Sequence, residues 1–177
     1  MPDPITLRTA RRDDVAAIVH LLADDHLGAG REVVSDPPPA SYFAAFARVD
    51  ADPRNLLAVA EDAGGRVVGT LQMTFIPGLS NQGAELALIE AVRVDSSLRG
   101  QGLGQVMIGW ALDEARRRGC RFIELFTHAS RLDAQRFYER LGFEKSHAHF
   151  AQSLLDILLR QPAEATEPVE DSGETRG

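Results

Sequence analysis

The densest chemistry in the sequence lies at Arg99-Gly100-Gln101-Gly102-Leu103-Gly104, followed by Gln105. Glycine at alternate positions bares the backbone, so an anionic group can approach its N–H groups closely. The segment runs into the strongest helical pattern in the chain: Leu103, Val106, Met107, Trp110 and Ala111 recur at i, i+3, i+4, i+7 and i+8. A helix begins with unpaired N–H groups and a partial positive charge. Arg99 adds a charge-assisted donor, which makes a phosphate or pyrophosphate the natural ligand. The dinucleotide fingerprint G-x-G-x-x-G is not met, because its third glycine would fall on Gln105.

Other reactive side chains are scattered. His128 would follow a strand and titrates near neutral pH, so it is a rival base, although a surface or capping role suits its position better. His147 and His149 would share one face of a strand, but no third ligand accompanies them and no metal is expected; they could instead line an acceptor pocket. Cys120 enters an apolar run without an activating partner, which suits core packing better than nucleophilic catalysis.

The elements that must position these groups follow from periodicity. A short strand over Ile5–Arg8 precedes a helix capped by Asp13 or Asp14, with Val15, Ile18, Val19 and Leu22 on one face. Leu27–Pro39 is expected to be a loop and Ser41–Val49 a second helix. Leu56–Glu61 and Val67–Phe75 flank Asp62-Ala63-Gly64-Gly65 as a hairpin. After a loop over Pro77–Gly83 come a strand over Leu86–Val94, the glycine turn, its helix with Gly119 at the end, and a buried strand over Arg121–Phe126. A short helix over Asp133–Leu141 ends at Gly142, with a strand over Phe143–Phe150 and an apolar turn over Leu154–Leu159 beyond it. The mixture is one α/β domain over residues 1–160, followed by an acidic tail over 161–177 that is expected to be disordered.

The 177 residues suffice for one sizeable core, and the net charge is −7. The tail carries five acids against one base, a net −4, so the body holds only −3. That balance argues against a nucleic-acid partner. No apolar run is long enough for a transmembrane helix, and Met1-Pro2-Asp3-Pro4 lacks the features of a signal peptide. A single cysteine cannot form an intramolecular disulfide, so a cytoplasmic location and no membrane partner are expected.

These motifs, in this order, resemble the GCN5-related N-acetyltransferase (GNAT) superfamily. Its acyl-CoA signature, R/Q-x-x-G-x-G/A, is met at Arg99, Gly102 and Gly104. The strand Leu88-Ile89-Glu90-Ala91-Val92-Arg93-Val94 has the family's look, and Ala134-Gln135-Arg136-Phe137-Tyr138-Glu139-Arg140-Leu141-Gly142-Phe143 resembles its tyrosine-helix segment. The resemblance covers roughly residues 5 to 150. It implies a mostly antiparallel sheet flanked by helices on both faces, with central strands around Val92 and Ile123 that splay to admit acetyl-CoA. It implies that Val92, Arg93 and Val94 offer backbone groups to the pantetheine arm. Arg99, Gly100, Gln101, Gly102, Leu103, Gly104 and Gln105 would cradle the pyrophosphate, with Tyr138 near the thioester sulfur. The family's usual Asn is replaced by Arg131, whose role on the phosphate, adenosine or acceptor side is open. Members are often homodimers, so a homodimer is expected.

Acyl transfer to an amine needs a base, since an alkyl amine with a pKa of about 10.4 is almost wholly protonated at neutral pH. Glu90 is the leading base. Strict alternation groups it with Leu88 and Val92, apolar neighbours that would raise its pKa, unless a bulge changes its facing. Tyr138 is the leading acid, because Phe137 and Leu141 form the core pair of its helix and leave it free for a cleft. The expected activity is acetyl transfer from acetyl-CoA to a small-molecule primary amine by direct attack in a ternary complex. A protein N-terminus or lysine is the alternative acceptor, and a catalytically silent acyl-CoA sensor the alternative of another class.

Overall fold

The structure, a computed structural model, describes residues 4–24 and 28–146. Met1–Glu144 form one compact unit and Lys145–Gly177 a second; all that follows concerns the first. The tail, the expected turn at Leu154–Leu159, and His147 and His149 lie outside the described residues. Phe143–Ser146, at the head of the expected last strand, is not in a strand.

Five strands form one sheet in the order β1 (Thr6–Thr9), β2 (Asn55–Glu61), β3 (Val67–Ile76), β4 (Leu86–Val94) and β5 (Phe122–Leu125). The first four run antiparallel and β5 lies parallel to β4. Alternation sorts the side chains between two faces. Ala58, Leu71, Met73, Phe75, Ala87 and Ile89 meet Leu103, Met107, Ile108, Ala111 and Ala115 of α4 (Leu103–Arg117) in the main core. On the other face Val59 joins Ala10, with Ile18 of α1 (Val15–Ala23) and Phe46 of α2 (Ala40–Ala51). Val106, expected on the buried stripe of α4, is 51% exposed, and Ile108 takes the inward place.

Two further helices belong to the described fold, besides single 3-10 turns at Arg12–Asp14 and Ser96–Leu98. α3 is a single turn, Ser80–Gly83, in which Asn81 and Gln82 hold left-handed φ values of +51° and +65°. α5 (Leu132–Arg140) lays Phe137, Tyr138 and Leu141 against the main core. A network at the start of α1 sets that helix on the sheet. Asp14 accepts from Arg8 Nη1 and Nη2 (2.7 and 3.0 Å) and from the Arg11 N–H (2.6 Å), while Arg8 Nε donates to Glu61 of β2 (2.7 Å).

Candidate active site

The glycine turn is built from β4 outward. Asp95 starts the connection, its Oδ1 accepting from the Ser97 N–H and hydroxyl (2.9 and 2.5 Å) and its Oδ2 from Arg66 Nη1 (3.0 Å). The Ser97 bonds, ahead of Arg66, hold the Asp95 carboxyl below the usual range. Gly100 and Gly102 follow with φ of +74° and +90°, values that a side chain resists. No heavy atom lies within 4 Å of where a Cβ would stand at either position. Bare backbone therefore fronts open space where α4 begins at Leu103 with its unpaired N–H groups. The residues fit the phosphates of acetyl-CoA on that geometry. At Gly104 a Cβ would lie 3.2 Å from Phe137 Cζ, so its bareness also seats α5 against α4.

Arg99 is anchored. Its Nε donates to the Val94 carbonyl (3.0 Å), and its Nη2 to the backbone oxygen (2.5 Å) and carboxylate (3.0 Å) of Asp24, at the end of α1.

β4 carries the second half of the site. It pairs with β5 only from Leu86–Phe122 to Ile89–Leu125, and beyond Ile89 no pairing joins the two strands. At that point Gln72 faces Glu90 and Thr70 faces Arg93, two steps on β3 against three on β4. β4 is therefore bulged, and Ala91 takes φ +51°. Glu90 and Ala91 are exposed, whereas Val92, Arg93 and Val94 are half-buried. The surroundings expected for Glu90 are thus corrected in part: the bulge turns Val92 toward the main core and Glu90 is exposed, while Leu88 stays on its face. Gln72, Thr74 and Glu124 share that face, with Thr74 Oγ1 donating to Asn55 Oδ1 (2.9 Å). Farther along, the same face carries α1 and α2.

Tyr138 stands edge-on to Phe137 and Phe143, with ring centroids 5.1 and 6.0 Å away. Burial pushes its phenol up from the ordinary value, against an opposing pull from the nearby charges of Arg93 and Arg131. Arg93 Nη1 donates to the Val92 carbonyl (2.9 Å). His128 Nδ1 is occupied by the Ser130 hydroxyl (2.7 Å) and N–H (3.2 Å), a local turn. Cys120 is half-buried against the main core, and burial pushes its thiol up, opposite to what a nucleophile needs. A cavity of about 540 Å³ between His20, Leu21, Asp24, Val34, Asp95 and Ser96 includes neither Glu90 nor Tyr138.

The acetyltransferase (GNAT) family matches residues 15–143. The chain belongs to that family. Among solved structures, one described as a transcriptional regulator from Bacillus halodurans is 45% identical, with a TM-score of 0.82 over 85% of this chain and 99% of its own. The aminoalkylphosphonate N-acetyltransferase of Salmonella typhimurium is 39% identical over 92 residues, 51% of this chain and 58% of the relative. The glucosamine 6-phosphate N-acetyltransferase of Trypanosoma brucei is 37% identical over 93 residues, 52% of this chain and 59% of the relative. The alignment thus spans less than two thirds of these curated relatives.

Within this GNAT fold the sequence-predicted groups fall into two sets. Glu90, Val92, Arg93 and Val94 share the bulged end of β4, and Arg99 to Gln105 form the turn and first residues of α4. Tyr138 is linked electrostatically to the first set through Arg93. Among the described residues no cluster of three or more His, Cys, Asp or Glu could hold a metal, and no helix is long and apolar enough to cross a membrane. Sequence reasoning missed Asp24, whose partner lies 75 positions away, and no local signal marks it.

Proposed function

We propose that the protein is an N-acetyltransferase that uses acetyl-CoA to acetylate a primary amine on a small molecule, by direct attack in a ternary complex. One observation carries this reading: the parting of β4 from β5 after Ile89 lies on the strand that leads into a bare, positively biased helix start. Acetyl-CoA would supply the acyl carbon as a thioester and leave as the thiol. The turn from Arg99 to Gln105 would hold its phosphates. The unpaired stretch Val92–Val94 would bond the pantetheine amides as an added strand does, and the Val92 N–H would polarise the thioester carbonyl.

Glu90, exposed on the polar face, would take the ammonium proton directly or through water, leaving the amine lone pair to form the new C–N bond. Tyr138, kept protonated by its raised pKa, would donate its proton to the sulfur as the C–S bond breaks, and the second proton shed by the acylated nitrogen would restore the phenol through water. Cys120 offers no covalent route. The two curated relatives act on amines that also carry a phosphonate or a phosphate. Arg93 and Arg131, beside Tyr138, would give such an anionic group its partners, so we place amines of that kind first among acceptors. A cytoplasmic location and a homodimer belong to the same proposal, as does a domain running to residue 160.

The relative described as a transcriptional regulator favours a second reading, an acyl-CoA-binding regulator without turnover. The test is thiol release from acetyl-CoA with aminoalkylphosphonates, hexosamine phosphates, uncharged amines and peptides, using wild type, Tyr138→Phe and Glu90→Gln. We expect turnover with an anionic amine, reduced about 10²-fold in each variant while acetyl-CoA binding persists. Full activity in Tyr138→Phe sinks its role as acid. Tight acetyl-CoA binding without turnover on any acceptor favours the regulator.

A further inference from the structure

We propose that Asp24 is a positioning residue for the acyl-CoA cradle: from the end of α1 it fixes the Arg99 guanidinium in one orientation toward the cofactor's phosphates. The inference rests on the reading of Arg99–Gly104 as that cradle.

The geometry is a clamp on one edge of the guanidinium. Nε bonds the Val94 carbonyl and Nη2 bonds Asp24 twice, through its backbone oxygen and its Oδ2. Among the described residues none of these bonds uses Nη1, so the Arg99 fork retains donors for a phosphate oxygen. The same Oδ2 accepts from the Ser96 N–H (3.0 Å), at the first residue of the turn that leads into the glycines. One carboxylate therefore holds both the side chain of the cradle and the backbone that delivers it.

Two costs show that Asp24 does not serve α1 alone. A carboxylate at a helix C-terminus meets the negative end of the macrodipole and is disfavoured there. A carboxylate near bound phosphates also repels them, unless a cation such as Arg99 stands between. Both costs are offset if fixing Arg99 matters more. A free arginine samples many rotamers, and that freedom must be lost when a phosphate binds. Holding the guanidinium beforehand removes part of this loss. Asp24 also caps the C-terminal end of α1, so the clamp ties the start of the glycine turn to that helix.

The test is calorimetric binding of acetyl-CoA to the full chain, with initial rates alongside. Arg99 and Asp24 are 46% and 38% exposed, so the expected effect is moderate. Asp24→Ala should weaken acetyl-CoA binding about fivefold and raise its KM in step, with kcat at saturating acetyl-CoA unchanged. Asp24→Asn, which keeps an acceptor oxygen, should recover part of the affinity and guards against a folding defect in the alanine variant. Arg99→Ala should weaken binding at least as much, and the double variant no further, since Asp24 acts through Arg99. Unchanged or tighter binding in Asp24→Ala overturns the proposal, as does an additive double variant. Unchanged binding in Arg99→Ala overturns the cradle reading itself, whereas a weakened Arg99→Ala beside a neutral Asp24→Ala removes only the positioning role.

Discussion

Glycines two residues apart do different work in this site, and substitution separates them. Gly102 holds φ +90° with open space beyond its missing Cβ. Gly102→Ala should therefore cost about 1–2 kcal/mol of backbone strain and weaken acetyl-CoA binding, because the new methyl stands where phosphate would approach. Gly104 is helical, and alanine there gains about 1 kcal/mol of helix propensity. That methyl meets the Phe137 ring at 3.2 Å, so the ring must give by a few tenths of an ångström. Gly104→Ala should leave stability within about 1 kcal/mol of wild type, and kcat should fall more than acetyl-CoA affinity because Tyr138 follows Phe137. Denaturant titration and calorimetric binding of both variants check the contrast. Equal loss of cofactor affinity in the two would show that the phosphates need the bare Cα of Gly104 as much as that of Gly102.

The element that decides the site is β4, and its bulge is held at a conformational cost. Ala91 is exposed at φ +51°, so a substitution there tests the backbone rather than packing. Ala91→Gly should be neutral or stabilising by up to about 1 kcal/mol, the relief of left-handed strain offset by glycine's extra freedom when unfolded. Ala91→Val should cost about 1–2 kcal/mol, since a β-branched residue resists that region most. A valine variant as stable as wild type in urea titration would remove the strain argument. Nothing in Leu88-Ile89-Glu90-Ala91-Val92-Arg93-Val94 announces this feature, because a smooth alternation and a bulge share one pattern until the register with β3 is known. Local signals served better elsewhere. The glycine turn, the hairpin and the ends of α4 and α5 were legible because each is closed by residues whose backbone preferences act within one turn, as at Gly119 and Gly142 with φ of +81° and +88°. On α4 the periodicity places Val106 inward where the structure buries Ile108, on the opposite flank of Met107, for a 3.6-residue repeat separates the two flanks of a stripe poorly. The Arg99 clamp depends on a residue 75 positions away and was beyond any local reading.

At the scale of the whole molecule, α1 is clamped at both ends by arginine–aspartate pairs, Arg8 with Asp14 and Arg99 with Asp24, and the first pair shapes how stability depends on pH. Bonds from Arg8, then that from the Arg11 N–H, hold the Asp14 carboxyl below the usual range against the opposing effect of burial. Arg117 with Arg118 does the same for Glu114, and Ser97 for Asp95. Each carboxyl binds a proton less readily folded than unfolded, so its contribution is present above the unfolded pKa of about 4 and is lost as pH falls through the folded value. At Cys120 and Tyr138 burial outweighs the other causes, and their folded pKa values are raised. Their contribution is present below the unfolded values of about 8.5 and about 10, and is lost as pH rises toward the folded ones. Stability should therefore form a plateau from about pH 5 to about pH 8, with an acid limb to which Asp14 contributes and an alkaline limb from Cys120 and Tyr138. Asp14→Asn should lower stability at pH 7 by about 1–2 kcal/mol, and the gap should narrow toward pH 3, where wild-type Asp14 is itself taking up its proton. Tyr138→Phe combined with Cys120→Ala should flatten the alkaline limb and leave the acid limb unchanged. Urea titrations from pH 2.5 to 10.5 read both limbs; an Asp14→Asn gap as wide at pH 3 as at pH 7 would mean that the Arg8 clamp acts through shape rather than charge.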